Sequence, residues 1–289
     1  MSPFFKDHTS YGAILAFFIP FAVAAIVMPS YSRTARGVAV FFLLLLVAGI
    51  VMSYTRAAWV GVVGALAVFV IMRLRVPAWA VGAVALVVGV GMAANMDRIT
   101  IWLDRNRVES NDDIAMHASS IGNIRSDASN LERINRWHAA LAMFKERPIT
   151  GWGPGTYMFQ YAPFQISRDR TIISTNFGLI GNCHSEYLGP LSEQGLLGML
   201  LMIALVGVTL WTAIRLWSRL PPGIERHIVG AALFGLITYY IHGTVNNYLD
   251  LDKASVPFWG LTAMIVVLDL KHRSSGQEKR QVSSAISSK

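Results

Sequence analysis

"GVAVFFLLLLVAGIVMSYTRAAWVGVVGALAVFVIM", residues 37 to 72, carries a single charge, Arg56. As one α-helix it would be about 54 Å long at ~1.5 Å per residue, against a hydrocarbon core of ~30 Å. One crossing cannot hold it, so the chain reverses around Ser53-Tyr54-Thr55-Arg56 and crosses twice, as Gly37–Tyr54 and Ala57–Met72. Outward from this pair, further apolar runs of the length a crossing needs lie near Tyr11–Met28, Ala78–Ala94, Leu196–Leu216, Ile228–Leu249 and, shorter, Ala254–Leu270. The composition agrees: 54% of residues are hydrophobic, 15% are charged and the mean hydropathy is +0.46, too apolar for a chain whose whole surface is wetted. The predicted fold is all-α, a polytopic transmembrane helix bundle of about seven spans.

These crossings sort the hydrophilic segments into two sets. One contains Arg33, Arg36, Arg73, Arg75, Arg215, Arg219, Arg226, Lys271, Arg273, Lys279, Arg280 and Lys289; the short loops of the other hold only Lys6, Arg56 and Lys253. The positive-inside rule puts the first set in the cytoplasm. The net charge of +8 then follows from topology, and nucleic acid is excluded as a partner. The expected organisation is residues 1–94 with four spans, 95–183 as one large extracytoplasmic loop, 184–270 with three more spans, and 271–289 as a disordered cytoplasmic tail. With no n-region and cleavage site ahead of the first span, no signal peptide is expected. The single cysteine, Cys183, leaves no internal disulfide or CxxC motif and reads as a small buried residue.

Long loops in compact proteins usually carry function, and this one contains "SNLERINRWHAALAMFKERP", residues 129–148. Ser129 with Glu132 forms a capping box, Leu131, Ile134, Trp137, Leu141 and Phe144 recur at helical spacing, and Pro148 ends the run. An amphipathic helix is expected, with Arg133 bordering the apolar arc and Arg136 about 60° further from it. Both also fit ordinary surface arginines. In "PITGWGPGTYMFQY", residues 148–161, closely spaced glycines could approach phosphate through backbone NH groups, but the GK[ST] ending of a nucleotide loop is missing. A tight turn is the simpler reading. "GNCHSEYLGPLSEQGLLGMLL", residues 181–201, sets His184, Ser185, Glu186 and Glu193 at the mouth of a span, with Pro190 near a helix start. Helix capping by Ser or His, a dipole partner in Glu186 and a locally satisfied Glu193 account for these residues equally well. Arg56 stands alone between two apolar spans, where it either snorkels to lipid headgroups or binds an anion at the interface.

Three of these stretches together resemble one family. "SYTRAAWVGVVGAL" is similar to the Ser-x-x-Arg or Ser-Arg start of a span in the O-antigen ligase and O-antigen polymerase superfamily. "ERINRWHAALAMFKERPITGWGPGTY" resembles its outer-loop helix followed by Pro-x-x-Gly-x-Gly, and "HSEYLGPLSEQGLLG" its His-Asn-x-x-Leu and Glu-x-Gly-Leu-x-Gly helix start, with Ser185 where Asn is commoner. Order and spacing agree over roughly Ser53 to Leu216. Members usually have more spans upstream, and "FFKDHTSYGAILAFFIPFA" resembles a mid-protein segment, so Met1 is expected to begin an incomplete chain.

The resemblance implies a glycosyltransferase of the bacterial inner membrane with its active site facing the periplasm. It would move a glycan from a polyprenyl diphosphate carrier to a hydroxyl of lipid A-core or of another glycan, among membrane lipids and without cofactor or metal. The residues suit such chemistry. A lipid diphosphate leaving group needs fixed positive charge, and arginine's planar fork can hold phosphate bidentately. Arg56 is the first candidate, Arg133 the second and Arg136 a reserve; His184, with an unperturbed pKa of about 6.5, would be general base. Asp250-Leu251-Asp252 matches the metal-binding Asp-x-Asp of nucleotide-sugar transferases, but lies outside the cytoplasm by the same topology. A transporter would instead use Tyr239, His242, Asn246 and Asn247 to line a path, and a non-catalytic assembly subunit would fit an incomplete chain. Ionisable groups gathered at the outer edge, and not at the midplane of several spans, favour the enzyme.

Overall fold

Asp7 and Ser32 decide where the first two helices begin. The Asp7 carboxylate accepts from Ser10 N at 2.7 Å to open α1 (His8–Val27), and Ser32 Oγ accepts from Ala35 N at 3.1 Å to open α2 (Arg33–Met52). Each satisfies an NH group that a helix start leaves without a partner. α2 stops where a helix break is expected: Ser53 Oγ donates to Ile50 O at 2.7 Å, Tyr54 adopts a left-handed φ of 51°, and α3 runs Arg56–Arg73. The computed structural model describes residues 4–5, 7–77, 128–171, 174–176 and 181–287; the expected span Ala78–Ala94 and residues 95–127 of the expected loop lie outside the described residues. Then come α4 (Ala128–Glu146), short helical turns at Tyr157–Gln160, Ala162–Phe164 and Ser167–Asp169, α5 (Leu188–Arg219), α6 (Ile224–His242) and α7 (Asp252–Ser287). Every regular element among the described residues is a helix.

Five of these are long and apolar enough to cross a membrane: α1, α2, α3, α5 and residues Asp252–Ser274 of α7. α2 leaves Phe41, Phe42, Leu44 and Leu45 exposed, a continuous apolar face suited to acyl chains and not to water. α6 behaves differently. It is not among the five, yet every residue from Val229 to Tyr240 is buried, the mark of a helix enclosed on all sides. The expected crossing Ile228–Leu249 therefore ends early, at His242. Gly243 is a poor helix former, and the carbonyls just beyond the helix accept bonds from distant segments. α7 runs on past residue 271 to Ser287, through Gln277, Glu278, Lys279, Arg280 and Gln281, all good helix formers.

The chain divides into two compact units. The first comprises Met1–Ser53, Ile203–Tyr240 and Tyr248–Lys289; the second comprises Tyr54–Met202 and Ile241–Asn247. In the first, small residues bring helices together: a Cβ on Gly49 would lie 2.6 Å from Leu15 Cδ1, and one on Gly235 would lie 2.7 Å from Phe17 O. Close backbone approach of this kind is how helices gain packing where lipid is as apolar as leucine. Phe17 stacks on Tyr239 with ring centroids 5.0 Å apart, and Tyr239 Oη accepts from Tyr248 N at 3.2 Å. At one end of this unit His8 Nδ1 meets Ser53 O at 2.7 Å. At the other, Arg215 and Arg273 share the Asp269 carboxylate, and Lys271 and His272 share Glu225, each at 2.7 Å. Four basic side chains that charge asymmetry assigns to one side of the membrane, or that flank it, thus meet at one end of the helices.

Candidate active site

In the second unit the face of α4 that packs is not its apolar stripe. Glu132, Asn135, Arg136, Ala139, Ala140 and Met143 are buried, while Leu141 is exposed. Small side chains at Ala139 and Ala140 let Tyr157 and Tyr161 pack close, with Cys183 beside them. The segment after the glycine-rich turn folds over the polar side of α4 and is held there by charge. Arg136, expected away from the apolar arc as a surface arginine or a reserve anion ligand, is only 1% exposed. Its Nε donates to Glu132 Oε1 at 2.5 Å and its Nη2 to Thr175 Oγ1 at 2.8 Å, and its guanidinium lies 3.9 Å over the Tyr161 ring. Ser174 Oγ donates to the second Glu132 oxygen, and Asn135 Nδ2 donates to Gln165 Oε1 at 2.8 Å. Tyr161 Oη and Gln165 Nε2 both donate to Thr175 O, at 2.6 and 3.0 Å. Glu132, expected to pair with Ser129 in a capping box, binds Arg136 and Ser174; the Ser129 side chain lies outside the described residues.

The glycine-rich turn does hold an anion, but an internal one. Gly155 N and Tyr157 N each donate to the Glu193 carboxylate at 2.9 Å. The backbone adds Trp152 N to Ser192 O at 3.1 Å, Gly153 N to Glu193 O at 2.7 Å and Leu196 N to Pro148 O at 2.9 Å. α5 breaks at Gly195, with φ 68° and ψ −162°, and the turn fills the break. A phosphate cradle is therefore not built here, because the NH groups of Gly153, Gly155 and Tyr157 are spent on Glu193 and that of Trp152 on Ser192. Gly195→Ala would set a Cβ 2.3 Å from Ile149 O at a φ that L-residues avoid, a strain of ~1–3 kcal/mol before the clash is counted. We expect a lower thermal midpoint for Gly195→Ala in detergent and none for Gly207→Ala, whose Cβ would meet nothing within 4 Å. An unchanged midpoint for Gly195→Ala would mean that the turn yields.

His184 sits just ahead of α5. Ser185 Oγ accepts from Tyr187 N and Leu188 N, both at 3.3 Å, so Ser185 caps the helix, a task asparagine performs equally well. The His184 backbone is fixed on both sides, N donating to Asn182 Oδ1 at 3.2 Å and O accepting from Trp137 Nε1 at 3.1 Å. Its φ is 51° and its side chain is half-buried. Left-handed backbone at a non-glycine residue, held by its surroundings, is a common feature of functional sites. Burial drives the Cys183 thiol far above its ordinary pKa, and the Glu193 and Glu186 carboxylates add to the shift. It stays protonated, as befits a packing residue. Among the described residues no three His, Cys, Asp or Glu side chains are grouped as a metal site would require.

One short stretch receives all three motif-bearing segments. Glu186 N donates to Gly243 O at 2.8 Å, Arg133 Nε donates to Val245 O at 3.1 Å, and a Cβ on Gly64 of α3 would lie 2.3 Å from Ile241 Cδ1. Arg56 is the first residue of α3, about 12 Å along the helix from Gly64 at ~1.5 Å per residue. There the positive end of the helix disfavours a cation and favours an anion bound to it. Arg133 and the His184 segment are thus brought to one turn, α3 packs beside it, and Arg136 is committed to the buried network. Residues 241–247 carry no motif, and backbone carbonyls leave no trace in a sequence that could have announced them.

Apolar helices with exposed hydrocarbon-facing surface, joined to a polar region built on buried ion pairs, define a multi-pass helical membrane protein. The sequence profile of the O-Antigen ligase family matches residues 41–203, more than half of the chain, and the chain belongs to that family. It is accordingly a membrane enzyme of the glycan ligase and polymerase type, acting on glycan or lipid-linked substrates. A comparison with curated proteins finds no match. The matched residues include Arg56, Arg133, Arg136, His184 and Glu193, and exclude 241–247.

Proposed function

We propose that the protein transfers a glycan from a polyprenyl diphosphate carrier to an acceptor hydroxyl, on lipid A-core or on another glycan, at the periplasmic face of a bacterial inner membrane. The observation that carries this reading is the convergence of α3, Arg133 and the His184 segment on residues 241–247. The acceptor oxygen attacks the anomeric carbon, the bond from that carbon to the diphosphate oxygen breaks, and the carrier leaves as polyprenyl diphosphate. His184 takes the acceptor proton. Arg56 and Arg133 neutralise the charge that grows on the leaving diphosphate, so no metal is needed for that task. The periplasmic assignment is supported by the two sets of loop charges.

Arg56→Lys tests the reading. Lysine keeps the charge and would serve a snorkelling role, but it offers a point charge where a fork holds two phosphate oxygens. The expected result is normal membrane insertion with transfer lowered roughly tenfold or more, worth about 1.4 kcal/mol, most marked at limiting donor. Parental activity at limiting donor would remove Arg56 from the diphosphate site.

A further inference from the structure

Of the four residues that a solute path would use, Tyr239 is 1% exposed, and so enclosed are the two polar residues at and just beyond the end of α6, His242 (1%) and Asn246 (2%). They lie four residues apart, and the Asn246 amide meets His242 Nε2 at 3.0 Å. With Nδ2 as donor the ring nitrogen is the acceptor, which sets the imidazole proton on Nδ1. The bond spans the turn whose carbonyls hold the site. Gly243 O and Val245 O lie between the two side chains in sequence, and they accept from Glu186 N and Arg133 Nε. The turn also has its own backbone bonds, Thr244 N to Ile241 O at 3.2 Å and Val245 N to His242 O at 3.1 Å. Val245 N is thus tied to His242, and the side-chain bond closes the same turn one residue later, at Asn246.

We propose that His242 and Asn246 are positioning residues for glycan transfer: their hydrogen bond sets the carbonyl of Val245, which in turn aims the guanidinium of Arg133 at the carrier diphosphate. This rests on the reading of Arg133 as a diphosphate ligand and adds to it two residues outside the family match. An arginine tied through Nε has its planar fork fixed in one direction, so ordering of the guanidinium is completed before the diphosphate arrives. Neither residue touches substrate; both act through Arg133.

The test is a double-mutant cycle on the 289-residue chain in phospholipid nanodiscs, with farnesyl diphosphate as the probe and calorimetric affinity as the readout. Arg133→Ala should weaken binding by roughly tenfold or more, the loss of a charged hydrogen-bonding partner, and Asn246→Leu by about threefold or more. The combination should bind no more weakly than Arg133→Ala alone, since Asn246 has nothing left to position. His242→Gln keeps an acceptor near the place of Nε2 and should retain the parental affinity, while His242→Leu should match Asn246→Leu. A residue that merely stabilised the fold would give losses that add to that of Arg133→Ala, and additive losses, or parental affinity in Asn246→Leu, would overturn the inference while leaving Arg133 as a ligand. Parental affinity in Arg133→Ala would overturn the ligand reading itself, and the positioning role with it.

Discussion

Replacing His184 by asparagine is expected to lower glycan transfer by ~10²–10⁴-fold, the contribution typical of a positioned general base, while expression and insertion stay normal. Asparagine is the more informative substitution because the backbone here has a φ of 51°, a conformation that Asn and His adopt more readily than most residues. Ser185 caps α5, and the bonds that fix residue 184 run through its backbone N and O. Both survive the change, so the loss would report the imidazole. His184→Ala should lose as much activity with a further small loss of stability. Near-parental turnover in His184→Asn would assign the base to another group.

Arg136→Met is expected to destabilise the region around α4 by about 3–5 kcal/mol, the cost of leaving a buried partner charge uncompensated. Glu132 and Arg136 side chains are 6% and 1% exposed, and methionine supplies neither the Nε bond to Glu132 nor the Nη2 bond to Thr175. Read as a surface arginine, Arg136 would tolerate the change within about 0.5 kcal/mol. The measurement is the temperature at which protease cuts between residues 128 and 176, compared with the parent in the same detergent. Glu132→Leu combined with Arg136→Met should regain most of the loss, because replacing both members of a buried pair by apolar groups is often neutral. A resistant Arg136→Met variant would show that the pair contributes nothing to holding the segment down.

Arg136 also marks the limit of what the sequence discloses. The wheel of α4 found the helix and its apolar stripe, which suits either the membrane or the bundle, but it could not show what the opposite face packs against. In a membrane protein lipid competes for apolar side chains, so small and polar residues take the protein side; Ala139, Ala140 and Asn135 do so here. The break between α2 and α3 was legible because only length against bilayer thickness was needed. Glu193 was visible as a polar residue at a membrane edge, whereas its partners, Gly155 N and Tyr157 N, are 38 and 36 residues away, and tertiary pairing at that distance has no local pattern. Residues 241–247 were least legible. An apolar run with a few polar residues looked like the end of a crossing, and the helix stop at His242 follows from bonds that Gly243 and Val245 make to other segments.

The most direct measurement follows both halves of the proposed reaction in membranes containing the protein. Fluorescent carrier-linked glycan is supplied on the periplasmic face, with chelator present, and polyprenyl diphosphate release is counted against glycan newly bonded to acceptor. The expected result is one diphosphate released for each glycosidic bond formed, with both lost together in Arg56→Lys and His184→Asn. Carrier-linked glycan that crosses the membrane intact, or glycosidic bonds formed without diphosphate release, would contradict glycan transfer from a diphosphate carrier.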